Sequence, residues 1–133
     1  MIEYSESVDG LTPAALEGGF FDGWPSAPSA SRHLQLLRGS AHVVIALDGA
    51  TVVGFANALS DGAFMAYIPL LEVLPAYRGR GIGSSLIERL LNRLHGHYHV
   101  GLLCDAPLQP FYERLGLLAV PGMARVDFPR QAG

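Results

Sequence analysis

Glu72-Val73-Leu74-Pro75-Ala76-Tyr77-Arg78-Gly79-Arg80-Gly81-Ile82-Gly83-Ser84-Ser85-Leu86 is the stretch around which this chain is organised. Three glycines at alternate positions stand between an apolar, strand-like run and an amphipathic helix. Downstream, Leu86, Ile87, Leu90, Leu91 and Leu94 recur at the spacing of one helix face, while Ser85, Glu88, Arg89, Asn92 and Arg93 take the other. Glycines let another group approach the backbone closely. The free N–H groups at the mouth of a helix point outward together and attract anions. Arg78 and Arg80 add positive charge at the same place, so the loop is expected to hold something anionic. The spacing is not that of the dinucleotide fingerprint, and no P-loop lysine follows.

Working towards the N-terminus, Ala63 to Val73 reads as a strand entered through an Asp61-Gly62 turn. Before it, Val43 to Leu47 and Thr51 to Leu59 are two strands joined by Asp48-Gly49, a strong hairpin signal. Pro69 falls inside the third strand, where it cannot donate to a ladder and marks an edge or a bulge. Further back lie a weak strand within residues 1–8 and a short helix opened by Thr12 and Pro13 and stopped by Gly18-Gly19. An aromatic run, Phe20, Phe21 and Trp24, turns at Asp22-Gly23. Ser26 to Ser29 is linker-like, and a second short helix follows with Leu34, Leu37 and His33 on its buried side and Gly39 at its end.

Towards the C-terminus, the main helix ends near His95-Gly96 and Val100 to Cys104 is a fourth core strand. A helix between the third and fourth strands makes a right-handed crossover the expected topology. Asp105-Ala106-Pro107 leads into a last short helix through Tyr112 and Leu115, with Pro110 in its first turn and Gly116 as its stop. The tail is expected to return as Leu117 to Val120, a Pro121-Gly122 turn and a final strand from Met123 to Phe128. The fold class is thus a mixed α/β (α+β) arrangement, antiparallel strands first and a crossover helix after.

Two blocks carry a resemblance. Arg78-x-x-Gly81-x-Gly83, preceded by Val73-x-Pro75, resembles the acetyl-CoA signature of the GNAT superfamily of N-acetyltransferases. Asp105, followed by Phe111-Tyr112-Glu113-Arg114-Leu115-Gly116-Leu117, is similar to that family's second block, with Asp105 in place of its asparagine and Leu117 in place of its phenylalanine. The likeness covers about residues 40–128, and the N-terminal third matches only in plan. It implies the acyl-CoA N-acyltransferase fold, a central, mostly antiparallel sheet flanked by helices, with acetyl-CoA as the acyl donor.

By that resemblance, Arg78, Gly79, Arg80, Gly81, Ile82, Gly83 and Ser84 hold the cofactor's pyrophosphate, and the backbone around Leu71 and Val73 pairs with its pantetheine arm, the Val73 N–H facing the acetyl carbonyl. Asp105 stands where an asparagine contacts the arm, and Tyr112 matches the tyrosine that donates to the coenzyme sulfur. A phenol is protonated at neutral pH and suits that task; the plainer reading is that Phe111 and Tyr112 pack the last helix. Glu72, on the strand beside the acetyl site, is the candidate base; it is also placed to bind a cationic acceptor, or to face outward from the bulged strand. Asp61 and Tyr67 are lesser candidates, and a water chain would serve in place of any of them. Phe21 and Trp24 are candidate acceptor contacts, because the family's corresponding connection lines the acceptor pocket; lids on the core are the alternative.

A chain of 133 residues fits one domain, residues 1–133, with half of its residues hydrophobic. Its formal charge of -3 makes no case for nucleic-acid or membrane binding; all nine basic residues are arginines. The start of the chain carries no secretory pattern, so the cytoplasm is the expected compartment. Cys104, the only cysteine, reads as a core thiol, and His95, His97 and His99 as solvated loop residues, so no metal is expected. The resemblance implies an N-acetyltransferase acting on a primary amine, first of all that of a small molecule. A protein or peptide acceptor and a non-catalytic acyl-CoA-binding module remain the alternatives, and a homodimer joined through the sheet edge or last strand is compatible with the pattern.

Overall fold

Five strands form one sheet in the order β1-β2-β3-β4-β5 in the computed structural model, which describes residues 1–133. They are β1 (Glu3–Ser5), β2 (His42–Asp48), β3 (Thr51–Ser60), β4 (Met65–Val73) and β5 (His99–Gly101). The first four pair antiparallel in sequence order, and β5 lies parallel to β4. A parallel partner needs a crossover, which helix α2 (Ile82–Arg93) supplies. Helix α1 (Ala30–Arg38) starts at Ser29, whose side chain accepts from the Arg32 N–H, and the short α3 (Gln109–Glu113) follows β5. The first expected helix is a single 3-10 turn, Pro13–Leu16, with no side-chain bond from Thr12.

Both faces of β2 and β3 are covered, which is why these strands read as continuous apolar runs rather than alternating ones. On one face Ile82, Leu86, Ile87, Leu90 and Leu94 of the α2 segment pack on Val44, Ala46, Val53 and Ala56. On the other, Leu16, Leu34 and Leu37 pack on Val43, Ile45, Val52 and Phe55. Each fully buried side chain of this size stabilises the fold by roughly 1.5–3 kcal/mol. The β2–β3 register shifts between Ala46 and Leu47, opposite Val53, so Val53 and Gly54 both turn towards α2. A Cβ at Gly54 would stand 3.1 Å from Leu86 Cδ1 and 3.3 Å from Ile82 Cγ2, so the bulge and the glycine together let α2 settle on the sheet.

Pro69 lies at the second irregularity: the β3–β4 register shifts between Asn57 and Leu59, opposite the Ile68–Pro69 segment. β5 pairs with β4 only at Met65, Ala66 and Tyr67. Beyond that point the two strands part, and Ile68 to Val73 keeps an edge without a neighbouring strand. No helix is long and apolar enough to cross a membrane.

The C-terminal expectations need correction. The fourth core strand is shorter than Val100 to Cys104, because only His99–Gly101 finds a partner in β4. Leu117 to Val120 and Met123 to Phe128 form no strands; the segment runs unpaired into a 3-10 turn at Phe128–Arg130. Alternation of apolar side chains makes a segment capable of being a strand, but a strand needs a ladder, and here no main-chain hydrogen bond joins residues 118–126 to β5.

Candidate active site

The parting of β4 from β5 opens a cleft of about 510 Å³. Glu72 and Leu71 of β4, Arg78 of the glycine loop, Asp105 at the end of the β5 segment, Tyr112 of α3 and Trp24 of the aromatic loop all line it. Residues far apart in sequence are thus gathered at one gap in the sheet.

Glu72 projects to the side of β4 on which the aromatic loop lies. Its Oε1 accepts the Phe21 main-chain N–H at 2.8 Å, while Oε2 is sealed from solvent without a partner. Burial raises the Glu72 carboxyl above its usual range, opposed by the Phe21 hydrogen bond and the Arg78 charge, with Asp22 adding to the rise. A carboxylate raised in this way holds a proton more readily than a surface one, which suits a base.

Tyr112 faces Glu72's cleft from α3. Burial, and then the neighbouring Cys104, raise its phenol above the ordinary value, so it stays protonated and able to donate at neutral pH. The Leu74 N–H donates back to Val53 of β3 at 2.8 Å. Successive residues of a strand point their main-chain groups to opposite edges, so Val73 and Leu71 present theirs to the edge that β5 leaves free. The Val73 carbonyl is taken by Arg78 Nε at 3.0 Å, leaving the Val73 N–H.

Beyond Arg78 the chain builds an anion seat at the start of α2. Gly79 and Gly81 have φ of 77° and 79°, the left-handed region that glycine alone enters freely, and a Cβ on either would meet open space. No side chain caps α2, and no N–H from Gly79 to Ser84 donates to another part of the main chain. Such a row of free donors with the helix dipole behind it fits a pyrophosphate. Arg80 lies over the Tyr77 ring at 5.1 Å and donates to the Ala76 carbonyl, and the Tyr77 hydroxyl bonds Asp48, tying the loop to the β2–β3 hairpin. Ile82 contributes only its main chain here, since its side chain is 3% exposed and belongs to the core. Gly83 lies against Phe111 and Val73, a position for close packing.

Phe21 does not reach the cleft. Its side chain is 3% exposed, packed on Trp24, His33 and Phe55, and its φ of 63° is held by that packing. What it offers the site is its N–H to Glu72. Trp24 does line the cleft, at 37% exposure. Cys104, expected in the core, is half-buried on the cleft wall because β5 ends before it. Asp22 was legible only as a turn residue, yet it lines the cleft beside Glu72; a carboxylate between two aromatics was the one signal available. His97 is an internal tie, with Nε2 2.8 Å from Ser60 Oγ and Nδ1 3.0 Å from the Leu94 carbonyl. Asp61 holds its own turn by accepting from Ala63, Phe64 and Met65, which pull its carboxyl below the usual range, and neither it nor Tyr67 lines the cleft.

Comparison with known proteins places this geometry. The Acetyltransferase (GNAT) family profile matches residues 13–117. A Deinococcus radiodurans R1 structure classed as an acetyltransferase is 44% identical, with a TM-score of 0.96 over 99% of this chain and 92% of that one. A GNAT-family acetyltransferase of Streptococcus pneumoniae TIGR4 is 28% identical, with a TM-score of 0.78 over 96% of this chain and 98% of that one. Histone acetyltransferase TAP1 of Glycine max is 32% identical over 111 residues, which is 74% of this chain and 48% of that protein. The chain spans about half the length, or less, of the first curated relatives it matches. With the mixed sheet, the parted β4–β5 pair and the glycine loop at the start of α2 all present, the chain belongs to the acetyltransferase (GNAT) family.

Proposed function

We propose that this chain transfers the acetyl group of acetyl-CoA to the primary amine of a small molecule by direct attack on the thioester. The observation that supports it most is the meeting of Glu72 and Tyr112 in one cleft beside a strand edge that no neighbouring strand covers, where the Val73 N–H is left free. The free N–H groups from Gly79 to Ser84, with Arg78 and Arg80 alongside, bind the pyrophosphate. Leu71 and Val73 pair with the pantetheine arm as a strand would, and Asp105 borders it. The thioester, when bound, supplies an activated acyl group.

The roles of the side chains follow from their protonation. Glu72, through Oε1 because Oε2 is sealed from solvent, takes the proton from the attacking amine directly or through one water as the C–N bond forms. The Val73 N–H stabilises the carbonyl oxygen as it gains charge. Tyr112 gives its proton to the sulfur as the C–S bond breaks; Glu72 then releases its proton to solvent and Tyr112 regains one from solvent, so both groups return to their starting state. Trp24 and Asp22, which line the same cleft as Glu72, border the acceptor. A cleft of about 510 Å³ has the size of a small-molecule site, which favours a small amine over a protein segment.

Calorimetric titration with acetyl-CoA, with CoA and ATP as controls, tests the reading. Saturable binding of both CoA species and none of ATP is the expected result, and it leads to a thiol-release screen of amines, polyamines, amino acids and peptides. No binding of acetyl-CoA overturns the reading. Binding without turnover on any amine would leave a non-catalytic acyl-CoA module, and turnover confined to peptides would move the acceptor to proteins. A histone acetyltransferase and the N-alpha-acetyltransferase RimI among the similar proteins give the peptide arm its place.

A further inference from the structure

The cleft between β4 and the β5 segment carries an excess of negative charge. Asp22, Glu72 and Asp105 line it against the single guanidinium of Arg78, whose Nε is already occupied by the Val73 carbonyl. None of the three carboxylates is in an ion pair; the chain's two pairs are Arg93 with Glu6 and Arg130 with Asp127. A cleft with that balance draws cations and repels anions.

Asp22 is fixed beside Glu72 by the main chain. The Phe21 N–H bonds Glu72 Oε1, and Asp22 is the next residue, its Cα about 3.8 Å further along. The Trp24 N–H donates to the Phe21 carbonyl at 3.1 Å and closes a four-residue turn. Gly23, with a φ of 83°, supplies the left-handed residue that such a turn takes at its third position. A turn pinned in this way gives Asp22 and Trp24 one arrangement relative to Glu72. Their closeness shows in charge as well, since Asp22 adds to the rise of the Glu72 carboxyl.

Trp24 completes the pocket. Its ring leans on the buried Phe21 ring, centroids 5.0 Å apart, and part of the indole is left to the cleft. An indole beside a carboxylate is a seat for an ammonium group, because ring quadrupole and charge attract the same ion. Glu72 serves the attacking amine, which is neutral when it attacks. A cation at Asp22 and Trp24 therefore belongs to a second nitrogen.

Resting on the acetyl-transfer reading above, we infer that the acceptor is a short-chain diamine. One amine meets the thioester beside Glu72 while the other, as ammonium, sits between the Asp22 carboxylate and the Trp24 ring. The attacking nitrogen forms the C–N bond and yields its proton to Glu72, the C–S bond breaks, and the distal ammonium keeps its proton throughout. The acetylated end is uncharged and cannot take the ammonium seat when the molecule turns round, so the reaction stops at one acetyl group. An α-amino acid, whose carboxylate would face the three others, is a poor acceptor.

Trp24 is the only tryptophan, so its fluorescence reads this seat without acetyl-CoA. At matched ionic strength, tetramethylenediamine should saturate the change at a concentration roughly tenfold or more below that of n-butylamine. Asp22→Asn should bring the two amines together, and Asp22→Glu should keep them apart; Asp22 is exposed, so neither variant disturbs the core. In the thiol-release assay the same preference is expected in kcat/KM, mainly through KM, with the monoacetyl product alone seen by mass spectrometry. The ratio between the two amines cancels what Asp22 does to Glu72, which acts on both alike. Equal affinity for the two amines, a preference that survives Asp22→Asn, or a second acetylation as fast as the first overturns the proposal. A faster rate on a blocked dilysine peptide than on the diamine overturns it too. A fluorescence preference without any acetyl transfer would uphold the ammonium seat and overturn the transfer reading instead.

Discussion

The main-chain N–H of Phe21 donates to Oε1 of Glu72 across 2.8 Å, joining the aromatic loop to the cleft between β4 and the β5 segment. The bond exists because Phe21 adopts a φ of 63°, a conformation costing a non-glycine residue about 1–2 kcal/mol, held by packing on His33 and Phe55. Glu72 is thereby oriented by one oxygen and left with the other unpartnered.

Glu72→Gln separates stability from activity. Burial raises the Glu72 carboxyl, so its stabilising share is fully present below the unfolded pKa and lost as pH rises through the folded one. At neutral pH the ionised form is a cost, and a glutamine keeps the acceptor for Phe21 without the charge. The variant is expected to be more stable than wild type by roughly 0.5–1 kcal/mol in urea melts at pH 7 while losing about 100-fold in transfer rate. The wild-type rate should fall on acidification, through a pKa above the usual carboxylate range. A rate in the variant equal to wild type removes Glu72 as base.

Tyr112→Phe keeps the packing of α3 and deletes one proton. Because burial holds the phenol protonated, the expected loss is in kcat, roughly 10–100-fold in a thiol-release assay, with acetyl-CoA affinity within about twofold of wild type. An unchanged kcat would leave Tyr112 with packing alone.

Gly81→Val tests the anion seat. The backbone at 79° disfavours any β-branched residue, and the added carbons would enter the open space beside the free N–H groups. Acetyl-CoA binding is expected to weaken at least about tenfold by calorimetry, with a fall in stability of about 1–2 kcal/mol. Wild-type affinity in a folded variant would move the pyrophosphate elsewhere.

His33 makes the fold acid-sensitive. It is 1% exposed among Phe20, Phe21 and Phe55, its Nε2 has no partner, and burial lowers its pKa to about 4. A lowered histidine contributes stability above its unfolded pKa of 6.5 and loses it as pH falls through the folded value. About 2–3 kcal/mol should go between pH 6.5 and 4 in urea melts, and His33→Leu should flatten that part of the profile. A profile with the same slope in both proteins would place the acid sensitivity at another group.

The sequence by itself determined the strand meander, the crossover helix and the glycine loop. Each rests on local periodicity or on turn chemistry, as in the Asp48-Gly49 hairpin and the Leu86 to Leu94 face, and local signals survive into the fold. Tyr112 was legible as a candidate only through the resemblance of its block to the family's, and Glu72 only through its place beside the acetyl site that the resemblance implies. Only the tertiary structure decided that Phe21 turns inward while Trp24 borders the cleft, since two neighbouring aromatics look alike until one backbone angle sends them apart. It also decided that β5 stops at Gly101 and that the tail leaves it unpaired. Strand pairing depends on an edge being within reach, and that is a property of the assembled sheet rather than of any stretch of chain.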